Sequence, residues 1–495
     1  MDEMTPLKPN DMSGGDRGLP DKHPIDIDRD CDVAWIKEFR SSVNKQRGRR
    51  PGKKPCTIFK IQDSICLRNE DAYRPLLISI GPYYHKRLPT SNNYVITLEN
   101  QKWLCLRHLL FRNRIRGNAT ELLEKCLIAM KKLGDEIRSC YSHELDNLTD
   151  DHSLAQVMLL DGCFILQLIL LFGEKTPANK KDDKEDEVGE AREMLSPLHT
   201  EEEEFQLPPL GMLWTWNILR FDLLKLENQI PFFVLTTLFD LFIAPSDERP
   251  NLVDLVFKLF SDIHPSDPKS QDSLELLEAT KVHHLLHLFH STLVPSKINS
   301  PLSIKRAIKA PKWIPNATEL RQAGVKFVKK ENARNFLDIS YNNGTMEIPE
   351  LSLHDHTDTL FRNMIAFEQC YPGVENQVSL YAIFMDCIID TPNDAHLLHL
   401  KGILSNRLST DEAAAELFNK LSYQIYYVLQ GEYLHEFCDA VNSFHKKKRN
   451  RWRAKLMRDY FSNPWAIISL ITAVVFLLLT LEQSSFNVLS YFHQT

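Results

Sequence analysis

No two of the ten cysteines are spaced as C-x-x-C; Cys31, Cys56, Cys66, Cys105, Cys126, Cys140, Cys163, Cys370, Cys387 and Cys438 lie scattered along 495 residues. That absence disfavours a zinc module or a dithiol redox motif and fits reduced thiols in a cytosolic compartment. No P-loop, no dinucleotide glycine fingerprint behind a strand and no G-x-S-x-G elbow occurs, so no residue announces itself as a nucleophile or a phosphate cradle. Cysteine and histidine are both plentiful, yet nothing local singles out a pair for covalent catalysis. The opening Met1-Asp2-Glu3-Met4-Thr5-Pro6 has no apolar h-region, so a secretory signal peptide is not expected. Sequons stand at Asn118, Asn147, Asn316 and Asn343, about as many as chance supplies, and are no sign of secretion.

Positive charge is also short, with one exception. The formal charge is −7, and eight cations within residues 446–458 contribute +8 to it, leaving −15 on everything else. A body that acidic is a poor nucleic-acid binder. The eight are Lys446, Lys447, Lys448, Arg449, Arg451, Arg453, Lys455 and Arg458, and just beyond them Trp465 to Leu481 runs 17 residues without a charge. Counted back to Tyr460 the uncharged stretch is 22 residues, roughly 33 Å of helix against a hydrocarbon core of ~30 Å. The sequence therefore predicts a membrane-spanning helix over 460–482, anchored by Trp465, Ile468, Leu470, Val474, Phe476 and Leu479, with Tyr460, Phe461 and Trp465 as an aromatic belt. The competing reading, a buried helix of a soluble body, is disfavoured because core helices are rarely apolar all round. Positive charge stays on the cytoplasmic side. The expected topology is thus a cytoplasmic body at 55–445, a basic collar at 446–459, one span, and a short tail at 483–495, in the plasma membrane or an endomembrane.

Along the chain, residues 1–54 combine acidic, basic, Pro and Gly residues with few apolar ones and are expected to be disordered. Cys56–Ile61 and Leu76–Ile80 read as short strands, the second ending in the turn signal Gly81-Pro82. Helical periodicity begins near Thr97, with Leu98, Trp103, Leu104, Leu106, Leu109 and Leu110 near one face, and repeats through Leu122, Leu123, Leu127, Met130 and Leu133. Leu154–Leu171 is long and apolar enough to be a second span, but Asp161 sits in its middle and no basic collar precedes it, which predicts a buried core helix. Residues 174–205 form a charged, low-complexity loop. In Leu226-Glu227-Asn228-Gln229-Ile230-Pro231 the proline breaks the helix, and the polar trio is expected to satisfy the backbone groups so exposed. Period two returns at Val325–Val328, Phe336–Ile339 and Thr345–Ile348, a β-hairpin region (325–348) turning at Asn343-Gly344. Helices follow at Thr359–Gln369, Val378–Ile389, His396–Ser405, Asp411–Leu421 and Tyr427–His445. The fold class is mainly α with a small β-hairpin unit (α+β), plus one C-terminal transmembrane helix.

Two histidine constellations invite a metal. His283, His287 and His290 share a helix face, a spacing zinc can use, but no glutamate completes H-E-x-x-H and leucines surround them. His354, His356 and Asp358 make an H-x-H-x-D pattern. Its other reading is a helix start, with Asp355 or Thr357 as N-cap and Asp358 in the first turn.

Read together, several segments resemble the plant domain-of-unknown-function 247 family of single-pass membrane proteins. They are Tyr73-x-Pro75 with Ile78-Ser79-Ile80-Gly81-Pro82-Tyr83-Tyr84-His85; Leu160-Asp161-Gly162-Cys163-Phe164-Ile165-Leu166; Asp222-Leu223-Leu224 with Leu226-Glu227-Asn228-Gln229-Ile230-Pro231-Phe232-Phe233; Ala317-Thr318-Glu319-Leu320 with Gly324-Val325-Lys326-Phe327; Phe361-Arg362-Asn363-Met364-Ile365-Ala366-Phe367-Glu368-Gln369-Cys370; and Asn463-Pro464-Trp465-Ala466. They occur in order over most of the chain. Gln167 stands where the family usually has an acid, and His354 and His356 fall outside its pattern. The resemblance implies a protein of unestablished biochemical activity, with some members associated with self-incompatibility recognition in grasses. The expectation is a membrane-anchored recognition, interaction or scaffold protein, with lipid and protein partners, no nucleic acid and no cofactor. The alternative is a membrane-tethered hydrolase or metal-dependent enzyme lacking a recognisable motif.

Overall fold

A computed structural model describes residues 38–39, 41, 55–66, 69–85, 93–113, 118–145, 148–174, 213–243, 249–265, 281–293, 313–331, 333, 336–423, 425, 432–461 and 464–493. The chain divides into a unit Met1–Lys54 and a unit Pro55–Thr495. Apart from Glu38, Phe39, Ser41 and Glu174, the segments 1–54 and 174–205 lie outside the described residues.

Helices dominate the second unit, as the periodicity predicts. Two one-turn helices, α1 (Asp63–Cys66) and α2 (Glu70–Tyr73), precede α3 (Asn93–Arg112), α4 (Ala119–Lys132), α5 (Gly134–Cys140) and α6 (Asp151–Glu174). Then come α7 (Leu213–Asp222), α8 (Phe232–Phe242), α9 (Leu252–Phe260) and α10 (Leu285–Leu293). Helix α6 is the post of this half: α3, α4, α8 and α9 all pack on it. Within Asp151–Phe172 an apolar window of 18 residues is 83% buried, so the long apolar helix is a core element. Gly162 is where α8 comes closest, since a Cβ there would stand 2.4 Å from Leu238 Cδ1.

The second half holds α11 (Ala317–Ala323), α12 (Thr357–Cys370), α13 (Gln377–Ile388), α14 (Pro392–Leu400) and α15 (Asp411–Ser422). Strand β1 (Lys326–Lys329) lies parallel to β3 (Thr345–Ile348), and β2 (Ser340–Asn342) pairs antiparallel with β3. A separate parallel pair joins β4 (Leu351–Leu353) to β5 (Leu404–Asn406). The chain ends in α16 (Glu432–Lys446), α17 (Lys448–Tyr460) and α18 (Pro464–His493).

Several helix starts are set by side-chain caps. Asn118, Asn251 and Asn316 accept from the N–H of Thr120, Val253 and Glu319, and Thr410 accepts from Ala413; each satisfies a donor that has no partner inside the helix. Two sequon asparagines are therefore caps. A third, Asn343, sits at φ 48° beside Gly344 at φ 86°, a two-residue turn with both residues left-handed, as a tight hairpin requires.

That turn corrects one expected strand. With Asn342 opposite Thr345 and Ser340 opposite Glu347, the hairpin arm is residues 340–342, whereas Phe336 is a fully buried plug against Tyr381 and Phe361. The expected helix His396–Ser405 is also revised. Thr391 and Asp394 form a capping box with Pro392 at the first position, which starts α14 earlier, and Gly402 at φ 68° ends it, freeing residues 404–406 to pair as β5. Residues 56–61 form only an isolated bridge, Ile58 with Tyr141. On α3 the buried side carries Cys105, Leu106 and Leu109, while Trp103 and Leu104 face outward.

Candidate functional site

A dense set of buried polar groups lies where the chain leaves helical geometry between α7 and α8. Asp222 ends α7, residues 223–230 are irregular, and Pro231 sits at the N-cap of α8. Such a break exposes backbone donors and acceptors that cannot stay unpaired inside a core. The side chains of the same stretch supply the partners. Asp222, fully buried, accepts from the N–H groups of Leu76, Leu77 and Ile78 at 2.7–3.1 Å and pairs with Lys225 at 3.0 Å. Lys225 also donates to the carbonyls of Asp71 and Arg74.

The trio 227–229 continues the pattern. Glu227 accepts from Ile61 N–H at 2.6 Å and from the Tyr84 hydroxyl at 2.7 Å. Burial raises the pKa of both groups. Asn228 accepts from Ile80 N–H at 2.7 Å and donates to the carbonyls of Ile78 and Asp222 at 3.1 and 2.9 Å, pairing with the extended chain as a neighbouring strand would. Gln229 donates to the carbonyls of Leu223 and Lys225 and accepts from Leu286 N–H, while its own carbonyl accepts from Tyr141. Leu226 N–H donates to Asn363, whose amide returns to the carbonyls of Ala72 and Thr359. Gly81 has φ 74°, and a Cβ there would lie 2.5 Å from the Gln229 carbonyl oxygen, so glycine is required by conformation and by space. These groups tie Ile61 and residues 71–84 to residues 222–229 and to α12.

A second buried pair joins the same extended segment to the post. Lys102 of α3 contacts Asp161 of α6 at 2.7 Å, and Asp161 accepts from Gly81 N–H at 2.7 Å. Lys102 also meets Glu99 and donates to the Ser79 carbonyl. Burial opposes the ammonium charge, but Asp161 and Glu99 outweigh it and hold the Lys102 pKa above its ordinary value.

The histidines of residues 283–290 are likewise tied into packing. His284 is fully buried: Nδ1 accepts from His287 N–H at 3.1 Å, leaving Nε2 to donate to the Thr57 carbonyl at 3.0 Å. Burial, with His283 beside it, lowers its pKa to about 3, and burial likewise pushes His287 well below the usual range. His283 meets the Tyr371 hydroxyl at 2.8 Å. His290 pairs with Glu368 at 2.7 Å, and that carboxylate also accepts from Val378 and Ser379. Of the three residues expected on one face, His283 and His287 stack ring on ring at 4.6 Å, with His287 Nδ1 accepting from His283 N–H at 3.1 Å, while His290 is held apart by Glu368.

His354, His356 and Asp358 are not drawn together as metal ligands. Asp358 grips Arg362 and accepts from Asn69 at 2.6 Å, His356 lies against the Phe221 ring at 4.5 Å, and His354 is exposed. Among the described residues no group of three or more His, Cys, Asp or Glu side chains is placed to hold a metal ion. The segment starts α12, but its N-cap is His356 without a side-chain cap; Thr357, expected as a cap, instead accepts from His354 N–H one turn outside the helix.

The anchor and collar residues sit on the last two helices. The stretch Ile467–Asn487 of α18 is long and apolar enough to cross a membrane, and none of it is buried. Trp465, Ile468, Val474, Phe476 and Leu479 are exposed and Leu470 partly so. Lys446 and Lys447 close α16 and its junction; Lys448, Arg449, Arg451 and Arg453 lie on α17. Of these six, Lys446, Lys447, Lys448, Arg449 and Arg451 are exposed, and so is Arg453.

Sequence reasoning missed Lys225, Tyr141 and the Lys102–Asp161 pair as structural groups. The signal was available: an ionisable residue inside an apolar run must have a partner. Its identity was not, since Lys102 is 59 positions from Asp161.

Residues 58–479 match the pattern of family DUF247, described as plant protein of unknown function. The chain is similar to the UPF0481 protein At3g47200 of Arabidopsis thaliana, 27% identical over 459 residues, 89% of this chain and 88% of that one. It is also similar to the putative UPF0481 protein At3g02645 of the same plant, 22% identical over 516 residues, 86% of this chain and 88% of that one. No solved structure matches it.

Proposed function

The chain belongs to the plant DUF247 family, and from that premise we propose that it is a membrane-anchored recognition or scaffold protein. Helix α18 spans the bilayer of the plasma membrane or an endomembrane, and the acidic body faces the cytoplasm and meets protein partners, in signalling of the self-incompatibility type that the family resemblance implies. The observation that carries the reading is the uncovered 21-residue stretch Ile467–Asn487. Exposed apolar surface of that extent is costly in water and is matched by hydrocarbon. The basic collar directly before it supports the cytoplasmic orientation. A partner-binding role is supported by the way the buried ionisable groups are spent on backbone and on one another, leaving no convergent set around a cavity among the described residues. The cavity lined by Val256, Phe257, Phe260, His264, Leu288, Phe289 and Thr292 has room for about one water molecule.

Alkaline extraction of plant membranes tests the anchor. The full chain should stay in the pellet, and a chain ending at Phe461 should leave it. A truncated chain that stays would remove the anchored reading. Glycan attachment at Asn118 or Asn147 in cells would put the body outside. Proximity labelling from the body then names the partners.

A further inference from the structure

We infer that α17 binds the surface of a leaflet rich in anionic headgroups, lying on it as a basic, tryptophan-centred face. This rests on the anchored reading above and adds a lipid preference to it. The face is defined by what α17 packs against. Asn450 is buried and donates to the Phe444 carbonyl at 2.8 Å, Ala454 is half-buried, and Arg453 lies over Gly324, so these three mark the side turned to the body, where α17 packs on α11. At 3.6 residues per turn the opposite side carries Lys448, Arg449, Trp452, Lys455 and Leu456, spaced by three and four.

All five are exposed, Trp452 to 79% and Leu456 to 47%. Asp459 is the single acid between 446 and 460. Among the described residues none of Lys448, Arg449 or Lys455 forms a salt bridge, so their charge is not spent within the body. An exposed indole ringed by cations suits the boundary where headgroup phosphates meet acyl chains. Charge complementarity favours an anionic leaflet over a zwitterionic one. Continuity favours it over a soluble acidic partner: α17 ends at Tyr460 and α18 begins at Pro464, with Phe461 and Trp465 exposed, so the bilayer lies close to α17 along the chain whenever α18 is inserted. The rest of the chain, at −15, is repelled by the same surface, which would hold the body away while α17 adheres.

The test uses the full chain reconstituted into vesicles whose acyl chains carry bromine, a short-range quencher of indole. The difference between the parent and Trp452→Phe isolates the emission of Trp452. In phosphatidylcholine alone that emission should be weakly quenched; with phosphatidylserine added it should be quenched several-fold more, and high salt should reverse the gain. The triple variant Lys448→Gln, Arg449→Gln, Lys455→Gln should lose the phosphatidylserine response while still sedimenting with vesicles. The inference is overturned if Trp452 is quenched equally in both lipids, or if the triple variant responds as the parent does. An anchor failure looks different: the parent itself would leave the vesicles in an alkaline wash.

Discussion

Helices α6 and α18 are both long and apolar enough to cross a membrane, yet an 18-residue apolar window is 83% buried within Asp151–Phe172 and 0% buried within Ile467–Asn487. Length and composition do not separate them; their surroundings do. Helix α6 is covered by α3, α4, α8 and α9, so it can be apolar nearly all round and still belong to a soluble core. The rule that core helices keep a polar stripe therefore fails for α6, and it is weak support for a span in α18. The better discriminators are local. Asp161 in mid-helix has Lys102 and Gly81 N–H as partners, whereas α18 has no charge between Trp465 and Leu481 and eight cations just upstream.

The sharpest way to break this comparison is to put the same charge in each helix. Ile165 of α6 is fully buried, and Ile165→Asp should destabilise the body by about 5 kcal/mol or more, enough to abolish a cooperative melt. Val475→Asp in α18 should leave body melting unchanged and instead reduce retention after alkaline extraction, since a carboxylate at mid-bilayer costs about 2.5 to 3.5 kcal/mol on insertion scales. A body that melted early in Val475→Asp would mean α18 packs on it.

Next in size is the pair that marks α6 as a core helix. Lys102→Met leaves the Asp161 carboxylate buried without its ammonium and should cost about 3 to 5 kcal/mol. Adding Asp161→Asn, which keeps an acceptor for Gly81 N–H, should recover part of that loss in the melting temperature. If the single variant melted like the parent, water would be reaching Asp161 and the helix would not be sealed.

Legibility in the sequence depends on where a residue finds its partner. The post helix, the hairpin turn at Asn343-Gly344, the break at Pro231 and the satisfying role of Asn228 and Gln229 could be read directly, because each depends on local spacing or on a backbone rule; Glu227 instead serves Ile61 N–H and the Tyr84 hydroxyl, far from the break in sequence. The target of Asn228, the extended chain at Ile78 and Ile80, 150 and 148 positions away, could not. Nor could the early start of α14, since its capping box competes with an equally good apolar period downstream. Of the candidate metal residues, Asp358 was readable as a first-turn acid, but Arg362 and Asn69 as its partners needed the fold. Asn228→Leu tests the readable part: it strands Ile80 N–H and two carbonyls, and should lower stability by about 1 to 3 kcal/mol. Unchanged melting with lost partner binding would instead make Asn228 a contact residue.

The smallest expected effect separates body from anchor by pH. His284 titrates at about 3 in the folded body against an ordinary 6.5, and His287 is also lowered, by burial first and by His284 second. For a base whose folded pKa is depressed, the unfolded chain binds the extra proton, so its contribution to stability is complete above 6.5 and is lost as pH falls toward 3. Between pH 7 and 6 each such histidine should remove about 0.7 kcal/mol. The body's melting temperature should therefore fall over that step, and His284→Asn should make the fall shallower although it lowers the starting value. Retention of α18 in membranes, which involves no histidine within Trp465–Leu481, should stay flat across the same range. A parallel loss of retention would tie the anchor to the folding of the body, and the two long helices would then belong to one cooperative unit.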